Sequence, residues 1–434
     1  MRKVYLSFLG LGGLNEQTGK FGYRTTMYEL NHQRSKETHF VQVAEMELLH
    51  GSEFDVAYIA ATRKSYDAHF NSLREQLKYH VNPVPIILSE EMSGRGQWEW
   101  FEKILPLIQM NDELTVDLTH GYRSIPIIFS TALNFLQKAR NIRLCGVYYG
   151  AFDKDRNLTP IIDMGSFYNI NEWADGVGRL VDDADARKLA AVAENTPDYQ
   201  VVELNDEDLI RSFEDLTNTI RNVDVNNVAQ KANAALSLIE EKKKGASETG
   251  KILLNLVIDK FASLTTQIPP TGKYDKGYFE VQIEMIGLLL RHRLFMQAYT
   301  VMREFIASIC MIPFEREGMN NKKRKKRRRV HAEVFIKLFQ FEEKEWDFSD
   351  GVQPIVEKLA PFYEQLKKMG IEEELRDLIK DLAEYRNGFD HAWIAKSGAY
   401  EDIEEKGLQY FQNLKQVLGR IEDLIVPSDK YGDV

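Results

Sequence analysis

The chain has 434 residues, 44% hydrophobic and 28% charged, which is enough to bury a core in two or three domains. Its longest apolar runs, such as IIFSTALNFL around Ile127, fall short of the roughly 18 to 20 residues a bilayer span needs, and MRKVYLSFLG opens a strand rather than an export signal. A net charge of -10 excludes indiscriminate nucleic-acid binding by the whole surface, but hides one basic run, KKRKKRRR, from Lys322 to Arg329. A cytoplasmic protein with no membrane partner is expected. Cys145 and Cys310 are too few for a disulfide framework or a cysteine-based zinc site, so buried free thiols are expected, and no metal cluster is visible.

From the start to about Met164, short β-rich runs alternate with helical patterns. KVYLSFLGL, HFVQVAEMELL, DVAYIAA, VPIILSE, LTVDLT, IRLCGVYYG and TPIIDM read as strands, while SYDAHFNSLREQLKYH and GQWEWFEKILPLIQM carry apolar residues at helical spacing. Such alternation predicts an α/β fold with a mostly parallel, doubly wound sheet. Ligands bind these sheets at the carboxyl ends of the strands. Three segments fall there: LGLGGLN after the first strand, ATRKS with Thr62 and Arg63, and the turn DLTHGYR from Asp117 to Arg123. From about Ser166 onward, segments of 3.6-residue period predict an all-helical half, with breaks at Pro269-Pro270 and Gly318. No repeat of fixed period is evident.

The turn after LTVDLT crowds an acid, a hydroxyl, an imidazole, a glycine and a guanidinium into seven positions. Gly121 allows close backbone approach, Thr119 and the amides after it can donate to phosphate oxygens, and Arg123 offers a planar fork suited to phosphate. Asp117 would hold Arg123 or the loop in place. The same residues also fit a capped strand-to-helix connection. GLGG lacks the G-x-G-x-x-G spacing of a dinucleotide fold.

The other chemical feature is AEYRNGFDHAW. Residues five apart on an ideal helix point about 140 degrees away from each other, so Arg386 and His391 share a face only if the helix is interrupted. Gly388 is expected to terminate it and let the chain bring His391 back toward Arg386. A permanently charged arginine and a histidine titrating near neutrality can together cleave RNA without a metal. The alternative is that Arg386 pairs with an acid and His391 caps or packs against Trp393.

DLTHGYR followed by Pro126, with SFLGLGG at the first strand, resembles the CARF domains of CRISPR-associated proteins, and RNGFDH fits the R-x-x-x-x-H motif of HEPN ribonucleases. The chain resembles, over nearly its full length, a type III CRISPR accessory ribonuclease. The resemblance implies a Rossmann-like CARF sensor over residues 1–165, a helical connector over 166–235 and a HEPN ribonuclease domain over 236–434. It implies a homodimer, or a higher oligomer, whose sensors clasp a cyclic oligoadenylate and so switch on cleavage of single-stranded RNA in antiviral defence. No cofactor is required; the cyclic tetra-adenylate ring is favoured over the hexa-adenylate ring.

Residue by residue, the resemblance assigns ligand contact to Gly10, Leu11, Gly12 and Gly13, to Thr62 and Arg63, and to Asp117, Thr119, His120, Gly121 and Arg123. Cleavage falls to Arg386, Asn387 and His391, with Glu304 of MREF as a supporting acid. The basic run, Lys322, Lys323, Arg324, Lys325, Lys326, Arg327, Arg328 and Arg329, departs from both family patterns. It is expected in a loop between helices, either as a solvated insertion or as a holder of the RNA backbone. Two other functions fit these residues: a nucleotide-responsive regulator that binds RNA without cutting it, and a sensor that degrades its own activator.

Overall fold

The computed structural model describes residues 1–15, 19–91, 93–120, 125–153, 157–195, 201, 203–265, 274–316, 321–390, 393 and 402–425, with backbone only at 15, 20, 125, 126, 195, 316, 321–327, 329, 386 and 390. The chain divides into two compact units, Met1–Trp173 and Ala174–Val434. Pro269-Pro270 and Gly318 lie outside the described residues.

In the first unit, β1 (Lys3–Leu9) is followed by the hairpin β2 (Gly13–Asn15) and β3 (Lys20–Gly22), then by β4 (Met27–Leu30), β5 (Gln33–Arg34) and helix α1 (Val41–Leu48). Next come β6 (Val56–Thr62), the short helix α2 (Arg63–Ser65), a π turn over Tyr66–Phe70 and α3 (Asn71–Leu77). The unit ends with β7 (Pro83–Leu88), α4 (Gly94–Ile104), β8 (Glu113–Asp117), α5 (Ile125–Arg140), β9 (Arg143–Gly150), β10 (Leu158–Asp163) and α6 (Gly165–Asp183), which crosses into the second unit. The main sheet has the order β5-β4-β10-β9-β8-β1-β6-β7. Strands β7, β6, β1, β8 and β9 run parallel, and β10 pairs antiparallel with β9.

Alternation along β1 explains how the sheet is covered on both sides. Val4, Leu6 and Phe8 pack with Trp100 of α4 and with Phe129, Leu133 and Leu136 of α5. Tyr5 and Leu9 face the opposite way, against Met46, Phe70, Leu73 and Leu77. Ser7, fully buried, is the polar exception on that second face.

Two expectations for this unit are corrected. HFVQVAEMELL is not a strand but supplies α1, because its buried positions Val41, Gln42, Ala44 and Glu45 recur at helical spacing. Cys145 is exposed rather than buried. The β8–β9 register passes from Leu114 opposite Leu144 to Thr115 opposite Gly146, so Cys145 is the extra residue of a bulge and is turned out of the core.

The second unit is helical: α7 (Arg187–Asn195), α8 (Glu207–Arg221), α9 (Val228–Lys243), α10 (Glu248–Phe261), α11 (Lys276–Arg291), α12 (Phe295–Ile309), α13 (Ile312–Arg316), α14 (Asn321–Gln340), α15 (Gln353–Lys368), α16 (Glu372–Asp390) and α17 (Ile403–Ile421). The apolar faces of α11, α12, α14 and α16 bury Phe279, Phe305, Phe335 and Leu382. The basic run is therefore not in a loop. It forms the opening turns of α14, and lysine and arginine are good helix formers. Among the described residues no helix is long and apolar enough to cross a membrane.

Candidate functional sites

The loop after β1 is held by rings from three other segments. Gly12 has φ +73, and a Cβ added there would meet the Gly22 carbonyl oxygen at 2.4 Å, so this close approach requires glycine. The Tyr23 hydroxyl donates to the Gly10 carbonyl oxygen at 2.6 Å, and His69 Nε2 donates to the Leu11 carbonyl oxygen at 2.9 Å. Tyr23 in turn lies against two imidazoles, with centroids 4.7 Å from His120 and 5.1 Å from His69. Segments after β1, β3, β6 and β8 thus converge on one aromatic platform at the carboxyl end of the parallel strands.

Beneath that platform runs a buried polar network. Ser7 Oγ donates to Asp117 Oδ2 at 2.6 Å, and the Thr119 amide donates to Asp117 Oδ1 at 2.8 Å. Gln42 Nε2 donates to Ser7 Oγ and to the Phe8 carbonyl, each at 3.0 Å, and Tyr5 OH donates to Glu45 Oε2 at 2.6 Å. Thr119 Oγ1 accepts from the Gly150 amide at 2.7 Å, which ties the turn to the end of β9.

The electrostatics follow from burial. Desolvation pushes the Asp117 carboxyl up to about 6, against the hydrogen bonds from Ser7 and Thr119 that favour its charged form. Glu45 is also held well above the usual carboxylate range, by burial first and then by the charge of Asp117. Burial, with His69 adding to it, pulls His120 down to about 4, so its ring is neutral near pH 7. Its Nε2 is buried and finds no hydrogen-bond partner among the described residues. A neutral imidazole with an unused nitrogen is suited to meeting one hydrogen-bonding edge of a nucleobase.

The structure thus brings Gly10, Leu11, Gly12, Thr119 and His120 together. Asp117 is fully buried and holds the turn from below. Thr62 caps α2, its Oγ1 accepting from the Ser65 amide at 3.3 Å, while exposed Arg63 pairs with Asp67 at 3.2 Å and lies 5.5 Å from the Tyr66 ring centroid. Gly13 opens the β2–β3 hairpin. Gly121 and Arg123 lie outside the described residues. Tyr23, His69, Gln42 and Glu45 escaped the sequence reasoning. The only signal for the last two was a glutamine and a glutamate inside an otherwise apolar run.

In the second unit, α16 runs unbroken from Glu372 to Asp390 and carries Arg386 and Asn387. Gly388 does not terminate it. A Cβ at this glycine would come within 2.5 Å of the Trp393 ring, so the residue makes room for an indole rather than for a turn. The chain folds back just beyond, where the Trp393 amide donates to the Gly388 carbonyl oxygen at 2.8 Å and Trp393 itself has φ 59. The indole packs on Phe389 at 5.4 Å and Tyr385 at 6.2 Å. His391 lies outside the described residues, as does the side chain of Arg386.

Glu304 of α12 accepts from Arg328 Nη2 at 2.5 Å and lies 3.4 Å from Arg303 Nη1. Arg303 also donates to Glu333 at 2.8 Å. Arg328 is therefore an ion-pair partner within the fold; Lys322 to Arg327 and Arg329 are described by backbone alone. Exposed Asn387 lines a cavity of about 150 Å³ with Arg303, Ile306, Glu333, Ile336, Lys337, Gln340, Ile379, Leu382 and Ala383.

No family model matches the chain. Over 199 residues it is 27% identical to the CRISPR-associated protein MJ1674 of Methanocaldococcus jannaschii, a match covering 43% of this chain and 28% of that protein. The chain is related to a CRISPR-associated protein. The match spans little more than a quarter of the relative's length. Among solved structures, Csm6 of Enterococcus italicus bound to cyclic hexa-2′-fluoro-hexa-dAMP aligns over 98% of this chain and 95% of that one, at 12% identity and a TM-score of 0.40.

Proposed function

We propose that the protein is an endoribonuclease of type III CRISPR defence that cuts single-stranded RNA without a metal ion once a cyclic oligoadenylate is bound. The aromatic platform at the strand ends is the observation that carries this reading. It sets a glycine loop, a hydroxyl and a neutral imidazole around stackable rings, a combination suited to adenine faces and the phosphates between them. The sensor is assigned to residues 1–165, a connector to 166–235 and the ribonuclease to 236–434.

Cleavage would proceed by attack of the substrate's 2′-hydroxyl on the adjacent phosphorus. His391 moves the proton and Arg386 holds the charge of the pentacoordinate phosphorus, with Asn387 beside Arg386 in the same motif. The products are a 2′,3′-cyclic phosphate and a 5′-hydroxyl end. One subunit supplies a single Arg/His pair, so a two-fold dimer would build one composite cleft from two motifs. The ligand acts only through tighter binding to the cleaving arrangement than to the resting one.

Incubating labelled RNA with the protein, EDTA and either the tetra- or the hexa-adenylate ring tests the reading. Ring-dependent cleavage that survives EDTA is expected, with the tetra-adenylate the stronger activator. RNA left intact with every ring would remove the nuclease assignment.

A further inference from the structure

The cavity beside Asn387 has a construction that the cleavage chemistry does not require. Its floor is apolar, from Ile306, Ile336, Ile379 and Leu382, and its rim is polar. Two of the rim charges are already satisfied, since Arg303 Nη2 donates to Glu333 at 2.8 Å. Among the described residues, the other polar groups that line the cavity are the Lys337 ammonium and the carboxamides of Gln340 and Asn387. An apolar slot with donors and acceptors at one edge matches a flat heteroaromatic ring with polar edge atoms. A volume of about 150 Å³ admits a small ring system and not a chain of them.

Position decides which ring. Asn387 follows Arg386 directly, so the slot opens beside the proposed cleavage motif. Lys337 and Gln340 stand on the same helix, α14, whose opening turns carry the basic run. From Arg328 to Ile336 is eight residues, roughly 12 Å of helix axis. A strand whose phosphates follow the basic turns of α14 would reach the slot with a base next to the bond to be cut.

We propose that this cavity binds one nucleobase of the single-stranded RNA substrate, adjacent to the scissile phosphate, and that Gln340 with Asn387 reads its edge. The inference rests on the ribonuclease reading for the identity of the strand. Carboxamides pair with the adjacent amino group and ring nitrogen of adenine, so adenine is the favoured occupant. Gln340 is a specificity-determining residue, and Lys337 supplies charge to the neighbouring phosphate.

The test uses the full chain and a fluorescent single-stranded RNA in which one abasic nucleotide is walked along the sequence, read by anisotropy and, with the activating ring, by cleavage. Stacking and edge contacts to one base are worth five- to more than a hundredfold in affinity by substitution data. One abasic position should therefore weaken binding about tenfold, and that penalty should shrink in Gln340→Ala and vanish in Ala383→Phe, which fills the slot. Melting temperature shows that each variant is folded, and Gln340→Ala alone suffices if the filled variant is not.

An abasic profile that is flat, or that is the same in wild type and Gln340→Ala, overturns the proposal while cleavage can persist. Binding with the expected profile but no cleavage under any ring would instead sink the ribonuclease reading and leave the base pocket standing. Failure to bind RNA at all contradicts both.

Discussion

Gly388→Ala separates a glycine kept for space from one kept for flexibility. In an ordinary helix interior, alanine is favoured over glycine by about 0.8 to 1 kcal/mol. At Gly388 the new methyl would lie 2.5 Å from the Trp393 ring. Overpacking of this kind typically costs about 1 to 3 kcal/mol, and swinging the indole away to avoid it gives up contacts with Phe389 and Tyr385 worth about 0.5 to 1.5 kcal/mol each. The clash outweighs the propensity, and a net loss of about 1 to 2 kcal/mol is expected. Gly419, in α17, is the internal control, because a Cβ there meets nothing within 4 Å. Gly419→Ala should stabilise by roughly the helix-propensity difference. Urea unfolding followed by tryptophan fluorescence reads both variants, and RNA cleavage reads whether the segment bearing His391 has moved, with at least a tenfold loss expected for Gly388→Ala alone. If the two alanines stabilised the protein equally and cleavage were unchanged, the indole would not rest on Gly388 and the closed end of α16 would be wrong.

Three further outcomes are expected in the sensor unit. Arg123→Ala removes a charge-assisted phosphate contact worth about 1.5 to 3 kcal/mol, so the activating ring concentration should rise at least ten- to a hundredfold while the saturated rate recovers; an unmoved midpoint would make the turn a connection only. Tyr23→Phe removes the donor to the Gly10 carbonyl oxygen, about 0.5 to 1.5 kcal/mol, and should raise the same midpoint several-fold without altering cleavage at saturation; an equal loss of saturated rate would point to general misfolding. Asp117 is raised from 3.8 to about 6 in the folded chain, so its contribution to stability is complete below about pH 4 and is lost as pH rises through 6. Asp117→Asn should flatten the fall in thermal midpoint across that window, by at most about 3 kcal/mol, with His120 unchanged in both proteins; an identical pH slope would place the carboxyl outside the buried network.

The parallel strands were legible because a strand covered on both faces reads as a continuous apolar run, as in KVYLSFL and VAYIAAT. That same signal misled at FVQVAEMEL, where a short apolar run fits either a strand or a buried helix and only the burial of Gln42 and Glu45 against Ser7 and Tyr5 decides. Strands β2 to β5 are too short to carry a period. The basic opening of α14 has no apolar periodicity to read, although its residues are good helix formers. At the candidate site, the turn residues were visible because acid, hydroxyl, imidazole and glycine crowd together in sequence. Tyr23 and His69 were not, since only the sheet order brings their loops to the same edge. Gly388 was misread because a glycine near a motif looks like a stop, whereas the reason for it, a ring five residues on, is tertiary.

In the proposed function, a nucleotide ring bound at the strand ends controls RNA cleavage by Arg386 and His391. The most direct measurement is the initial rate of cleavage of a fluorogenic single-stranded RNA by wild type, Arg386→Ala and His391→Ala, each with saturating cyclic tetra-adenylate in EDTA and each checked for ring binding by calorimetry. Wild type should cut only with the ring, both variants should bind the ring with unchanged affinity, and neither should cut. Cleavage by either variant at the wild-type rate, or a wild-type rate indifferent to the ring, would contradict that function.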